Sequence, residues 1–584
     1  MITVDELMAA ARAKTPLAGV TLGRMDLRGL DLSGIDLRGA RLVQTDLRGA
    51  KLCGADLRGV QGSSCDLRGA AFDGALLDAA LFLASKFQDA SFTGAQLAGA
   101  KLVDAELGSV DLSGADLSGA TLVRSKLAGA NLAGCTLREA RLDFCDLGGA
   151  NLEGALLEQA SFTSADLRGA KLVRAVLREV SMVEARLCRT DFTDATIDTV
   201  IFVRADLRAA RLPRALPRSV FSDAILSRFD LPDGDERRGE LGDDDAFAPC
   251  FDDGDLSACT FSGVCLRGAS FRRTKLEMCN FGECDLTDAS FEGADMRLSV
   301  HNGAKLTGCD LHGQDLELAQ FTDADLHGVN LRGARLVLTQ IDRADLTDAD
   351  LSGAFLWAAS VREAKLAGVR LEKTVLKSID FDDTDMHGLP LAGLSLQRCS
   401  FVNAELSGMD LRGCDLTHAD FKQAHLEKAD LRGAVVREAS FDSTDLRLAD
   451  LREVDGRGAY FGKANLGGAR LAGARLRYAT FEEAELGAVL AHEADMRETR
   501  LVRAKAEKAI FMNARLDYAD LSHADLRGAD LSSASLFTAN LHAVRDDGAS
   551  YNGATLTAAK RTDIDRLEAE GWMPPAAPRG ATSP

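Results

Sequence analysis

Aromatic residues are scarce in this 584-residue chain. It has two Trp and four Tyr, and all aromatics together make up 5% of the sequence. A core of that composition is built mainly of Leu, Ala and Phe. Positive charge is outweighed, and the net charge is −20. That balance argues against a nucleic-acid backbone or an anionic membrane surface as partner. No apolar run approaches the roughly 20 residues of a membrane span, so membrane insertion is not expected. The N-terminus, MITVDELMAAARAK, carries Asp5 and Glu6 and has neither a basic start nor a long apolar run. It does not read as a secretory signal, and a cytoplasmic location is expected, with export by a signal-independent route left open. There is no CxxC, and no Cys/His set has zinc-site spacing. Nucleophile-elbow, P-loop, GxGxxG, HExxH and EF-hand motifs are absent. The sequence therefore assigns no catalytic, cofactor-binding or metal-binding residue, and no enzyme activity is expected.

What the chain has is a period. Cut every five residues, Met25–Gly69 reads MDLRG LDLSG IDLRG ARLVQ TDLRG AKLCG ADLRG VQGSS CDLRG. A Leu stands at the centre of every block but one, where Gly62 replaces it. Two places before the centre sits a residue that is usually small. Helices repeat at 3.6 residues and strands at 2, so neither explains a strict five. A short fixed period over a long chain marks a solenoid, whose turns pack only on their neighbours.

A longer period is superimposed. Phe recurs at 221, 261, 281, 321, 381, 401, 421, 441, 461 and 481, always separated by multiples of 20 residues. Four blocks therefore make one coil, and Phe stacks on Phe between coils. A second column, half a coil away, holds Phe72, Phe92, Phe192, Phe251, Phe271 and Phe291. Centres keep one phase from Leu17 to Leu212, lose one residue near Pro213, and continue in the new phase to Leu541. Both columns cross the slip together. The expectation is one continuous solenoid of about 26 coils, on the order of 125 Å long at the strand spacing. Nine of the 13 cysteines, Cys259 and Cys279 among them, fall at the small position, where a reduced thiol replaces Ala.

Blocks such as Ala55-Asp56-Leu57-Arg58-Gly59 and Ala115-Asp116-Leu117-Ser118-Gly119 resemble the pentapeptide repeat family, over roughly residues 17–558. The resemblance implies an all-β fold, a right-handed quadrilateral β-helix with the centre and small residues inside. It implies little about chemistry, because members share a fold and not an activity. Asp before the centre and Arg after it form adjacent outward columns, with Asp26, Asp46 and Asp66 stacked coil on coil.

The chain divides into a helical cap (1–16), a first array (17–213), a register slip and acidic junction (214–255), a second array (256–558), and a second helical cap with a disordered tail (559–584). Thr3 and Glu6 form a capping box for a helix over Val4–Ala13. Thr562 to Gly571 reads as the second helix, with Thr562 as its N-cap and Trp572 packed beneath it. Residues 232–249 break the pattern and either replace a coil or bulge outward. Leu241 falls on the main Phe column, which favours a degraded coil. His301 stands at a centre in that column and reads as a core histidine. Gly456, Ala491 and Ala506 at centres should leave space and loosen the C-terminal third.

Outward apolar residues are the candidate contacts. Leu298, Leu318 and Leu338 share one column, Val337 and Trp357 the adjoining one, and Tyr478, Tyr518 and Phe537 lie further along the same face. An apolar stripe on a rigid support is a candidate protein contact. A second outward column, Val43, Leu83, Val103, Val123, Val183 and Val203, is explained by strand propensity. The acidic alternative is the junction, with Asp233, Asp235, Glu236, Asp243, Asp244 and Asp245. The function expected is a non-enzymatic scaffold that presents solenoid faces to other proteins. Its short helical N-terminus followed by dense DLRG blocks resembles pentapeptide repeat proteins associated with bacterial type VI secretion clusters. The alternatives are a DNA-mimicking protein that binds and protects gyrase, and a secreted effector.

Overall fold

The computed structural model describes residues 2–226 and 248–572. They form two compact units, Met1–Asp315 and Leu316–Pro584, and each is a four-sided β-solenoid. The first begins with helix α1 (Val4–Ala13), capped by the expected reciprocal bonds between Thr3 and Glu6. It buries Leu7, Ala10 and Ala11. Parallel bridges then recur at 20-residue steps, for example Asp26↔Asp46, Asp46↔Asp66 and Asp36↔Asp56.

The five-residue code follows from where each amide goes. The centre N–H donates to the next coil, as from Leu27 to the Asp46 carbonyl at 2.8 Å. The residue before the centre donates to the previous coil, as from Asp46 to the Met25 carbonyl at 3.0 Å. The residue two places after the centre donates onward, as from Gly29 to Arg48 at 2.9 Å, and the small residue donates to the preceding centre, as from Ala40 to Leu37 at 3.0 Å. One amide per block is left, that of the residue just after the centre. The Asp before the centre takes it: Asp46 Oδ1 accepts from the Arg48 N–H at 3.2 Å. The same carboxylate grips the Arg48 guanidinium at 2.9 and 2.7 Å. In a block of this kind every backbone donor is thus placed. Gly29 has a φ of 64°, in the left-handed region where glycine carries no Cβ penalty.

Blocks without that side-chain acceptor can straighten into strands. A four-stranded parallel sheet comprises β1 (Arg41–Val43), β2 (Gln61–Ser63), β3 (Leu81–Leu83) and β4 (Lys101–Val103). A second holds β5 (Leu156–Glu158), β6 (Val176–Arg178) and β7 (Thr196–Asp198), and a third, in the other unit, β8 (Arg335–Val337), β9 (Phe355–Trp357) and β10 (Val375–Lys377). None of these ten strands has Asp, Asn or Ser before its centre. Val43 and Leu83 are exposed on the first sheet, in keeping with their β-propensity.

The interior is the Leu/Phe stack read from the sequence. In the second unit Phe401, Phe421, Phe441, Phe461 and Phe481 stack at 4.8–4.9 Å with nearly parallel rings. The column between Phe321 and Phe381 runs through Ile341 and Val361, and a cavity of about 20 Å³ lies beside those two residues. His301 is fully buried and takes a phenyl's place, stacked on Phe281 at 5.1 Å, with Nε2 2.9 Å from Ser299 Oγ. Burial pushes its pKa down to about 3, so the ring is neutral. Gly456 leaves no gap, contrary to expectation. A Cβ there would meet Leu476 at 2.9 Å and Val436 at 3.2 Å, because residues of adjacent coils have moved into its place. Buried thiols donate to the carbonyl of the centre below, Cys279 to Leu256 and Cys259 to Leu216, both at 2.8 Å. Desolvation raises both pKa values.

The register slip is a single 19-residue coil: Ile201 bridges Val220 and Asp206 bridges Ile225, and Phe202 still stacks on Phe221 at 5.0 Å. The next step is different. Ala215 bridges Asp255 and Val220 bridges Thr260, each 40 residues on. Phe221 stacks directly on Phe261 at 4.9 Å. The described ladder thus passes directly from the Phe221 coil to the Phe261 coil, and the degraded coil favoured from Leu241 falls outside the described residues. The expected total of about 26 coils changes accordingly. Asp233, Asp235, Glu236, Asp243, Asp244, Asp245 and Leu241 lie outside the described residues, as does the tail after Trp572.

The second unit ends in helix α2 (Ile564–Gly571). Its N-cap is Asp563, whose side chain accepts from the Arg566 N–H, and not Thr562 as expected. Thr562 Oγ1 instead accepts from the Ala543 N–H at 3.3 Å. Trp572 does not pack under the helix and is 69% exposed.

Candidate partner-binding face

In the second unit, the third sheet and the turn residues beside it carry the apolar surface. Leu318 and Leu338 each stand two places after a centre, where φ is 60° and 53°. This is the position that elsewhere mostly takes Gly or a polar residue, and a Leu there gives up backbone comfort. Adjacent coils are tied through this row: the Leu318 N–H donates to the Val337 carbonyl and the Leu338 N–H to the Trp357 carbonyl, both at 2.9 Å. Leu338 and Trp357 are each 47% exposed.

Val337 departs from its expected place on the surface. It pairs with Trp357 across β8 and β9 and is only 2% exposed. The position faces outward, but the short Val lies in one column between Glu317 and Trp357, whose larger side chains overtop it. Its place in the patch is taken by two residues that sequence reasoning missed, Phe355 and Val375. They pair in register on β9 and β10, and both are exposed. The signal was there: Phe355-Leu356-Trp357 and Val375-Leu376 are apolar runs where the repeat demands a polar residue before the centre. The assembled patch is Leu318, Leu338, Phe355, Trp357 and Val375. In the column holding Phe355 the neighbour is Arg335, paired with Glu317 at 2.7 Å. In the column holding Trp357 it is Lys377.

The other expected residues lie apart. Leu298 belongs to the first unit, one coil from exposed Met278. Tyr478 is exposed beneath the Arg477 guanidinium, 4.6 Å from its ring. At 20 residues a coil it stands seven coils from Leu338, about 34 Å along the ladder. Tyr518 meets Phe537 edge to face at 5.5 Å.

A different cluster was invisible in the sequence. His523 and His542 lie in neighbouring coils, joined by the His523 N–H to the His542 carbonyl at 2.9 Å. Glu570 of α2 brings Oε2 to 3.0 Å from His523 Nε2 and 3.3 Å from His542 Nε2. It is the group among the described residues able to hold a metal. Arg566 bonds the other oxygen at 2.7 Å, and its side-chain bond is the main cause holding the Glu570 pKa below the usual carboxylate range.

The family model for pentapeptide repeats matches residues 40–208, 265–300, 302–336, 339–377, 379–452, 457–489 and 494–532. The chain belongs to the pentapeptide repeat family. No curated protein matches it. Among solved structures it is similar to HetL, a pentapeptide repeat protein involved in heterocyst differentiation regulation from the cyanobacterium Nostoc sp., at 24% identity over 51% of this chain and 98% of HetL, with a TM-score of 0.15. It is similar to full-length QnrB1, a plasmid-mediated fluoroquinolone resistance protein, at 16% identity over 47% of this chain and 92% of that one, TM-score 0.14. A pentapeptide repeat protein of the Arabidopsis thaliana thylakoid lumen is 33% identical over 18% of this chain and 66% of its own length, TM-score 0.13. No helix among the described residues is long and apolar enough to cross a membrane.

Proposed function

We propose that this protein is a non-enzymatic scaffold that binds another protein through the patch of Leu318, Leu338, Phe355, Trp357 and Val375. The observation that carries the reading is the exposure of Trp357 with Leu338 at its side, on a three-stranded parallel sheet. A flat, rigid support lets large apolar side chains bury against a partner at little conformational cost, and Trp is a frequent hot-spot residue. Arg335 and Lys377 beside the patch favour a partner with acidic flanks. The capped N-terminus and DLRG blocks keep accessory service to a bacterial type VI secretion apparatus as the finer reading, with action in the cytoplasm. Duplex mimicry for gyrase is disfavoured by the charge pattern. Mimicry needs an unneutralised negative ladder, whereas Asp26, Asp46 and Asp66 are each gripped by an arginine at 2.6–2.7 Å.

Trp357→Ala with Leu338→Ser tests the reading. The fold should persist, since neither side chain fills the interior, and capture of the native partner should fall by about tenfold or more, the loss of one hot spot. Equal capture by variant and wild type rejects the patch. If capture is instead lost on neutralising Asp243, Asp244 and Asp245, and is salt-sensitive, the acidic junction is the contact.

A further inference from the structure

Helix α2 is eight residues long and buries none of its side chains. Ile564, Leu567 and Trp572 all point to solvent. A helix that short is marginal in water without tertiary packing. Its described ties to the last coils are polar, and they converge on His542. The Asp563 N–H donates to His542 Nδ1 at 3.1 Å, and Glu570 reaches His542 and His523 from the far end of the helix.

We infer that His523, His542 and Glu570 form a zinc site that clamps α2 onto the end of the solenoid. Two imidazole Nε2 atoms and a carboxylate oxygen are a ligand set of the zinc type. All three ligand atoms lie within 4.8 Å of one another. The two spacings from Glu570 Oε2, 3.0 and 3.3 Å, are close to the edge of about 3.3 Å expected for a tetrahedron with bonds near 2.05 Å. His542 is buried and fixed, while His523 and Glu570 are partly exposed, so the open side leaves room for water as a fourth ligand. Arg566 on the second carboxylate oxygen orients that group from outside the metal. Binding has one local consequence. His542 now accepts at Nδ1, so its proton sits on Nε2. With zinc on Nε2 the proton moves to Nδ1, and the Asp563 amide turns to solvent. One hydrogen bond is exchanged for a metal bond, and no net proton is released by the ring.

The full-length chain, stripped with a chelator, is titrated with Zn²⁺ by calorimetry, and hydrogen exchange is followed over residues 564–571. One equivalent should bind, and exchange there should slow about tenfold or more. His523→Ala and Glu570→Gln change partly exposed side chains and leave the interior untouched. Each should weaken the site by about tenfold or more, as loss of a ligand exceeds loss of an outer partner. Co²⁺ should give the intense visible absorption of a tetrahedral site in the wild type and in neither variant. The inference is overturned by an absent equivalent, by binding that both variants retain (which would place it on thiols or other histidines), or by binding that leaves exchange at 564–571 unchanged.

Discussion

At the scale of the residue, each of the five positions in a block answers one physical demand, so substitutions have separable costs. Phe421 is fully buried and stacks on Phe401 and Phe441 at 4.8 and 4.9 Å. Phe421→Ala should cost about 3–5 kcal/mol. Hydrogen exchange should rise in the adjoining coils and not elsewhere, because stability in a nearest-neighbour array is local. The carboxylates behave differently. Burial alone would raise the Asp455 pKa, but Arg457 and Arg437 outweigh it and hold it at about 2. A folded pKa below the unfolded value of about 3.9 contributes stability that is complete above the unfolded value and lost as pH falls through the folded one. Relative to Asp455→Asn, the wild type should therefore keep a constant advantage above about pH 5 that shrinks toward pH 2 in acid-unfolding curves.

At the scale of the element, a block is tuned against the block one coil away and not against its chain neighbours. Gly62 is the clearest case: a Cβ there would stand 2.3 Å from the Phe82 ring, so the absent side chain at one centre is the space used by the next. Gly62→Ala should destabilise by about 1–3 kcal/mol through overpacking. Adding Phe82→Leu should recover part of that, a coupling readable in a double-mutant cycle of melting curves. The same dependence explains what was legible in the sequence. The 20-residue Phe period named the coil, and Thr3 with Glu6 marked α1 to the residue, because both are properties of spacing alone. Leu338 and Trp357 could be placed outside for the same reason. Val337 could not, since its burial is set by the size of the residues above and below it in the column. The histidine–glutamate cluster could not be read either. Phase relates His523 to His542, but Glu570 arrives on a helix that the repeat does not describe.

At the scale of the whole molecule, the ladder ignores the chain between the Phe221 and Phe261 coils. Removing residues 230–249 joins position 229 to Cys250 with the five-residue phase intact. That deletion should leave the melting temperature of the solenoid within a few degrees of wild type, because bridges such as Ala215↔Asp255 already exist. Deleting one residue more or fewer should lower it, since the junction would then have to absorb a second register change like that of the 19-residue coil. Circular dichroism of the parent and the phase-preserving deletion should be alike, with β-structure and little helix.

The direct bridge from Ala215 to Asp255 also says how such a chain can grow. A stretch whose two ends fall in the same column leaves the stack unaware of its length or content. Lengthening by whole coils' worth of residues is then structurally silent, and the step from Ala215 to Asp255 is where a passenger sequence, natural or grafted, can be carried without refolding its host.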